Sequence, residues 1–183
     1  MHTRVAKKPR QRDFLNVCET CQLGCCNGVR PPLIPQRRRA IRKFLRANNI
    51  LVSSPFENRD YAFPRETQDG YCIFFEKATK KCNIHPVKPE TCVAGPITFD
   101  INHETGKIEW FLKTEKICQL AAALYQDKEA FEKYSKSAKT EVLKLVQNLD
   151  SEALRAILTI AEPDTFKFGE DNLNSKVAAK LKQ

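Results

Sequence analysis

The sequence lacks any run of about 20 consecutive apolar residues, the length that a membrane-spanning helix needs. Met1–Arg12 is polar and basic, without the apolar segment of a secretory signal peptide. We therefore expect a cytoplasmic protein with no membrane partner. Glycine and proline are also scarce, with 6 and 10 copies, and 42% of the residues are apolar. This composition excludes a collagen-like or disordered chain and predicts a folded domain.

Sequence signatures of enzymes are missing as well. The chain has no glycine-rich phosphate loop, no Ser/His/Asp order typical of hydrolases and no paired-carboxylate motif. The sequence therefore favours a binding or accessory protein, although it leaves open an enzyme that uses a metal centre.

Positive charge is present in excess, and it is concentrated in two stretches. The chain has 31 Lys and Arg against 22 Asp and Glu, which gives a net charge of +9. Twelve of the basic residues lie in Met1–Arg12 and Arg30–Arg46, which contain no acidic residue. The rest of the chain is slightly acidic, so any attraction for an acidic partner must be local.

The second basic stretch predicts an amphipathic helix from Pro35 to about Asn48, with Ile41, Phe44 and Leu45 at helical spacing. A solvated helix face is the ordinary explanation for its charge. An acidic protein partner is the functional alternative, and nucleic acid is less favoured because Phe44, the one aromatic residue among these arginines, is assigned to the apolar face and offers no base stacking. The residues that would contact an acidic partner are Arg37, Arg38, Arg39, Arg42 and Lys43.

Eight cysteines are the most informative feature of the sequence. Four thiols within nine positions are hard to explain by packing, and a reducing compartment argues against a disulfide framework. Buried, unligated thiols are the alternative, which carries most weight for the isolated Cys118. The candidate metal ligands are Cys18, Cys21, Cys25, Cys26, Cys72, Cys82, Cys92 and Cys118.

The spacing of the first four cysteines bears on the number of metal centres. If the stretch is helical, Cys18, Cys21 and Cys25 share one face, and Cys26 points about 100° away from Cys25. Adjacent thiols would then serve two ions, and eight thiols equal two four-thiolate sites. His85, in Cys82-x-x-His85, is an alternative ligand, although a loop histidine is favoured because the thiols already suffice. His2 and His103 receive no role.

The ligand type leaves the identity of the metal open. Thiolates suit both zinc and a [4Fe–4S] cluster, in one or two centres. A ferredoxin-like carrier is disfavoured, since three residues separate Cys21 from Cys25 and no proline follows Cys26. The sequence therefore favours a metal-binding accessory module. The alternatives are an iron–sulfur redox protein or oxidoreductase-type enzyme and a nucleic-acid-binding zinc protein.

The apolar pattern predicts an α+β fold, in which a small cysteine-rich core with short β-hairpins precedes a helical C-terminal part. One hairpin is expected over Tyr61–Glu76, with its turn at Gln68-Asp69-Gly70 and Pro64 confining the first strand to an edge. A second hairpin has its turn at His103–Gly106. Its alternating apolar residues are Ile97, Phe99, Ile101, Ile108, Trp110 and Leu112.

A helical pattern begins at Ile117, breaks near Asp127 and ends with a helix over Ser151–Glu162, where Pro163 stops it. Only Val177–Leu181 offers a further short helix. The chain is accordingly divided into a basic flexible arm (1–13), a cysteine-cluster metal-binding domain (14–126), a helical segment packing on it (127–163) and a polar tail (164–183).

Several short segments recur together in a known family. They are Cys18-x-x-Cys21-x-x-x-Cys25-Cys26, Tyr71-Cys72-Ile73-Phe74, Lys81-Cys82-Asn83-Ile84-His85, Lys88-Pro89 and Thr91-Cys92. With them the chain resembles the CxxCxxCC (YkgJ-like) cysteine-cluster proteins over roughly Asn16–Pro96. That family is described as chelating zinc or iron, and related segments occur in a flagellin lysine methylase and in proteins named as iron–sulfur oxidoreductases. The resemblance therefore implies metal chelation and no particular reaction.

The chain departs from that family at two positions. His85 and Lys88 stand where the family usually has tyrosine and arginine, so no role of those side chains carries over. Residues 1–15 and the C-terminal half of the chain lie outside the resemblance.

Overall fold

The computed structural model describes residues 24–162 and 164–182, together with Val17 and Cys21. The whole of the predicted basic arm (1–13) and Cys18 lie outside these residues. The described chain has the predicted α+β fold, with short antiparallel sheets in its cysteine-rich part and helices following them. The division into four segments stays a prediction.

The cysteine-rich part consists of one longer helix, two small sheets and two short helical turns. These elements are α1 (Pro35–Ala47), β1 (Phe56–Asn58), β2 (Ala62–Pro64), β3 (Phe75–Glu76), β4 (Lys81–Cys82), a 3-10 turn (His85–Val87) and α2 (Glu90–Ala94).

The second part combines a three-stranded sheet with helices. Its elements are β5 (Ile97–Asn102), β6 (Lys107–Lys113), α3 (Gln119–Tyr125), α4 (Lys128–Asn148), α5 (Ser151–Leu158), β7 (Thr165–Asn172) and α6 (Ser175–Leu181). In the described part of the chain, no helix combines the length and apolar content needed to cross a membrane.

The helix α1 confirms the prediction at both ends. Pro35 occupies its first turn, where a missing N–H costs nothing, and Asn48 follows its last residue. Ile41 and Leu45, four residues apart in this helix, are buried on the same face. The helix is therefore held by one apolar face.

The predicted hairpin β5–β6 is also confirmed. Ile97 pairs with Leu112 and Ile101 with Ile108. Gly106 closes the turn at a φ of +65°, which favours glycine. The alternating apolar residues of the two strands consequently face one core.

The first predicted hairpin is right at its turn, where Glu66 and Cys72 form an antiparallel bridge and Ile73 N donates to Arg65 O, but its outer strands pair elsewhere. Gly70 has a φ of +81° and its N–H donates to Thr67 O. β2, however, pairs with β1 and not with the segment after the turn, while β3 pairs with β4. Pro64 contributes no N–H to a ladder, which is consistent with its place at the end of a three-residue edge strand.

The strand β7 is a structural element that the sequence did not predict. It lies antiparallel to β6, with Lys107 opposite Asn172 and Lys113 opposite Thr165. Its polar residues face solvent and pair across the strands, as in the 2.8 Å contact between Lys167 and Glu109. Strands of this kind lack the apolar alternation that identifies half-buried ones.

The helical boundaries agree with the prediction except at the end of α5. Asp127 marks the predicted break and accepts a hydrogen bond from Ala130 N as the N-cap of α4. α5 ends at Leu158, several residues before Pro163. A residue before proline is disfavoured in helical conformation, which helps to explain the early end.

Two groups of buried side chains hold the described structure together. The larger group lies between the three-stranded sheet and the C-terminal helices, with Trp110 at its centre. The smaller group, which we call the N-terminal core, consists of Leu33, Ile41, Leu45, Ala62, Phe74 and Ile84. Cys72 and Cys82 pack against the N-terminal core, whereas Cys118 packs against the larger one.

Candidate metal centre

Cys25 and Cys26 lie in a turn, not in the helix considered from the sequence. Their thiols are hydrogen-bonded to each other, so they do not point apart by about 100°. That hydrogen bond lowers the pKa of Cys25 to about 6 and raises the pKa of Cys26. Cys25 and Cys26 therefore do not diverge as the helical interpretation predicted. Their geometry gives no separate reason for two ions.

Backbone hydrogen bonds fix this turn beside Cys72. Cys72 N donates to Cys26 O at 2.8 Å, and Gly28 N donates to Gly70 O at 2.9 Å. Asn27 and Tyr71 form the β-bridge between these bonds. Two stretches more than 40 residues apart are thus joined by main-chain contacts that do not depend on their thiols.

The β3–β4 hairpin brings Cys82 toward Cys72. Cys82 is the partner of Phe75 in the ladder, and Phe75 N donates back to Cys72 O at 2.8 Å. The neighbouring side chains Phe74 and Ile84 are buried in the N-terminal core. The hairpin is therefore anchored on its apolar side while its two cysteines remain partly accessible.

The short helix α2 carries Cys92 and is held at both ends. Glu90, fully buried at its start, accepts a hydrogen bond from Arg37 Nε at 2.8 Å. At its end, Tyr134 Oη donates to Val93 O at 3.3 Å. Contacts from α1 and α4 thus determine where Cys92 lies.

Cys118 precedes α3 and lies a few residues after the end of β6. Its N–H donates to Thr114 O at 3.0 Å, and its side chain packs against the larger core. Burial raises the pKa of Cys118, and the charges of Cys25 and Cys21 raise it further. Cys118, the last cysteine of the chain, thus interacts electrostatically with Cys21 and Cys25 near its beginning.

Electrostatic interactions among the thiols define a first group of four cysteines. Burial raises the pKa of Cys72 to about 11 and that of Cys92 to about 12. Cys82 adds to both shifts, and Cys72 and Cys92 both raise the pKa of Cys26. Cys26, Cys82 and Cys92 therefore each lie within electrostatic range of Cys72.

A second group consists of Cys21, Cys25 and Cys118, in which the first two each raise the pKa of the third. The two groups touch, because Cys25 is hydrogen-bonded to Cys26 and also raises the pKa of Cys92. Cys18, the remaining predicted ligand, lies outside the described residues. Seven of the eight predicted cysteines are thus connected by one hydrogen bond and by electrostatic interactions.

Two lysines near this cluster were not predicted from the sequence. Lys88 and Lys113 both lower the pKa of Cys25. Lys88 also opposes the burial that raises the pKa of Cys82 and Cys92. Lys88 belongs to the Lys88-Pro89 segment of the family pattern and could have been noticed, but nothing in the sequence connects Lys113 with Cys25. Cations here compensate the negative charge of thiolates.

The contacts of His85 are not those of a metal ligand. Its Nε2 lies 3.4 Å from Lys88 Nζ, and no thiol is among the neighbours that shift its pKa. Burial, helped by Lys88, lowers the pKa of this imidazole. These contacts agree with the interpretation of His85 as a loop histidine.

The residues present fit a thiolate-bound metal by their chemistry. Soft thiolates select zinc and iron–sulfur clusters over magnesium or calcium, which require oxygen ligands. In residues 24–162 and 164–182, with Val17 and Cys21, no three cysteine, histidine or acidic side chains have the geometry of a metal site. The thiols of the described cysteines thus lie near one another without forming a coordination sphere.

An α+β chain that gathers seven thiols from separate stretches is typical of the cysteine-cluster metal-binding domains. A comparison with protein families agrees with this class. Residues 17–119 match the CxxCxxCC family, described as "putative zinc- or iron-chelating domain", and the chain belongs to that family. Comparisons with curated proteins and with solved structures found no match.

Proposed function

We propose that this protein is an accessory module that binds zinc or an iron–sulfur cluster through its cysteines, in one or two centres. The observation that supports it best is the hydrogen bond between Cys25 and Cys26, which links two groups of electrostatically interacting thiols from separate stretches of the chain. One centre would use Cys26, Cys72, Cys82 and Cys92. The other would use Cys21, Cys25 and Cys118, with Cys18 as the sequence suggests.

The metal would supply a crosslink between elements that are distant in sequence. The first cysteine group joins the turn at Cys26, the β3–β4 hairpin and α2, and the second joins the same turn to the start of α3. Thiolates that repel one another are stabilised by a bound cation. The chain's own hydrogen bonds and ion pairs would preposition these elements for binding.

Neither of two cavities in the described structure is a substrate site formed by the cysteines. A cavity of about 430 Å³ lies between the end of α1 and the loop that follows it, and another of about 50 Å³ lies beside α2. No cysteine lines either of them. An iron–sulfur enzyme would need a substrate site beside its cluster.

Metal analysis and absorption of the anaerobically purified full chain test this proposal. Near-stoichiometric zinc in a colourless protein would indicate a structural site, and a brown band near about 400 nm with iron and sulfide would indicate a cluster. A folded protein with neither zinc nor iron would overturn the proposal.

Paired substitutions test how the ligands are grouped. Cys72→Ser/Cys92→Ser should remove the metal of the first group, and Cys21→Ser/Cys118→Ser that of the second. Ala78→Ser, an exposed change in the β3–β4 turn, is the matched control and should retain all metal. If each pair removes half of the metal, two centres are present. Loss of all metal from either pair would indicate one shared centre.

A further inference from the structure

An apolar groove with a cationic rim lies where α1 ends. Leu45, Ile50, Val52 and Pro55 form apolar parts of its lining, and the cavity of about 430 Å³ is within the range of ligand sites. Leu51 stands at its edge with 98% of its surface exposed. An isoleucine, a valine and a leucine around an open concavity form a site for an apolar anchor.

The groove is preformed by the backbone. Ile50 N donates to Leu45 O at 2.9 Å, and Asn48 Nδ2 donates to Phe44 O at 2.8 Å. Asn49 adopts a φ of +54°, a conformation that asparagine tolerates, and so turns the chain sharply after the helix. A partner would therefore not have to order this loop on binding.

The rim carries cations that the described chain does not neutralise. Arg42 and Arg46 line the groove, one helical turn apart, and Arg39 and Lys43 continue the exposed basic face. In the described part of the protein, none of these four forms an ion pair with a carboxylate. Arg37, in contrast, points inward to Glu90 and so does not belong to this surface.

We propose that this groove binds an acidic, amphipathic segment of a partner protein. An apolar side chain of the segment would enter beside Leu51, and flanking carboxylates would lie against Arg42 and Arg46. Binding of an amphipathic segment in an apolar groove is a common mode of peptide recognition, and opposite charges add specificity. This docking surface is separate from the cysteine cluster.

Two other occupants fit the surface less well. Single-stranded nucleic acid needs free aromatic faces, but Phe56 is covered by the guanidinium groups of Arg38 and Arg42, 5.7 and 5.4 Å from its ring centre. The chain's own residues 1–16 contain five basic residues and one acidic residue, so their charge repels this rim. An acidic protein segment complements both the charge and the apolar lining.

Selection from a displayed library of random short peptides on the metal-loaded full chain tests this proposal. Enriched peptides should combine Asp or Glu with a large apolar residue. Their affinity should fall about tenfold or more in Arg42→Glu/Arg46→Glu and in Leu51→Asp, with a salt dependence for the charge contribution. Lys133→Glu/Lys136→Glu, which reverses two exposed charges on α4, is the matched control and should bind as the wild type does.

The proposal is overturned if acidic peptides are not enriched, or if the groove variants bind them as well as the wild type. It is also overturned if a single-stranded RNA or a DNA duplex binds more tightly and loses affinity in the same variants. Concentration-dependent dimerisation that Leu51→Asp abolishes would assign the groove to a second copy instead. Metal content measured in every variant keeps these outcomes distinct from a failure of the proposed metal-binding function.

Discussion

Arg37 Nε donates to Glu90 Oε1 at 2.8 Å, and this ion pair connects α1 to the helix that carries Cys92. Glu90 is fully buried, and only 12% of the Arg37 side chain is exposed. Arg37 also pairs with Glu141 on α4. One guanidinium thus joins three helices around a carboxylate two residues from a candidate ligand.

Removing Arg37 should destabilise the protein strongly. Arg37→Met leaves the buried Glu90 without its cation, which typically costs about 3–5 kcal/mol. Urea unfolding of the metal-loaded protein measures this change. Arg39→Met, a neighbouring exposed arginine, is the control and should cost less than about 0.5 kcal/mol.

A double variant separates the buried charge from the loss of packing. Arg37→Met/Glu90→Gln removes both charges, so it should recover part of the stability lost in Arg37→Met. Equal stability of Arg37→Met and Arg39→Met would show that the pair does not hold α1 to α2.

Gly95 should be intolerant of any side chain. Its φ of +61° is unfavourable for alanine, and an added Cβ would overlap the Tyr134 hydroxyl. We expect Gly95→Ala to lose about 1–3 kcal/mol of unfolding free energy. Thermal unfolding of the holoprotein provides the measurement.

Two controls separate the parts of this effect. Gly106 also has a positive φ, +65°, but an added Cβ there meets open space, so Gly106→Ala reports backbone strain without a clash. Tyr134→Phe in the Gly95→Ala background removes the overlapping hydroxyl and should recover some stability. If Gly95→Ala and Gly106→Ala lower the free energy of unfolding by the same amount, the clash with Tyr134 contributes nothing to it.

Asp171 should be needed to dock β7. Its Oδ2 accepts a hydrogen bond at 2.6 Å from Nε1 of the fully buried Trp110 and pairs with Lys139. Asp171→Ala leaves the indole N–H without this acceptor, at a cost of about 1–3 kcal/mol. Hydrogen exchange should show faster exchange of the β7 amides.

The control for Asp171 is a double-mutant cycle with Trp110→Phe, which removes the donor. The cost of Asp171→Ala should shrink in that background, because no buried N–H remains to be left unpaired. An unchanged cost would assign the stabilisation to Lys139 instead.

Metal removal should loosen the N-terminal core before the sheet. Cys72 and Cys82 pack against that core, whereas β5 and β6 have their own buried residues. After chelation we expect amide protection to fall first over 70–92 and to persist over 97–113. Hydrogen exchange with mass spectrometry checks this, and the same chelator preloaded with zinc is the control. Simultaneous loss of protection in both stretches would contradict it.

Local patterns in the sequence predicted most of the fold. Ile97, Ile101 and Ile108 follow the alternation of a hairpin with one buried face. Asp127 caps the helix that follows it, as aspartate commonly does at this position. β7 was missed because its stability comes from pairing with a strand more than 50 residues earlier, and its own residues are largely polar. Such long-range pairing leaves little periodic signal.

The inward position of Arg37 illustrates a different limit. Arg37, Ile41 and Leu45 are spaced by four residues, so helical geometry alone places the arginine on the buried face. The sequence could have indicated this orientation. It could not have identified Glu90 as the partner, because nothing local connects two residues 53 positions apart.

The cysteines themselves were predictable, but their arrangement was not. The density of four thiols within nine positions marked Cys21, Cys25 and Cys26 as candidates. In the structure they interact electrostatically with cysteines from later stretches, namely Cys72, Cys82, Cys92 and Cys118. The contact between Cys25 and Cys26 follows from a turn whose conformation depends on hydrogen bonds to residues 70–72.

The late position of β7 has a consequence for synthesis of the protein. Domains begin to fold from the N-terminus as the chain emerges from the ribosome. Every cysteine has been made by residue 118, whereas the sheet lacks its third strand until residue 172 has been added. If the protein binds a metal as proposed, the nascent chain could do so while β6 still presents an open edge, which closes once β7 pairs with it.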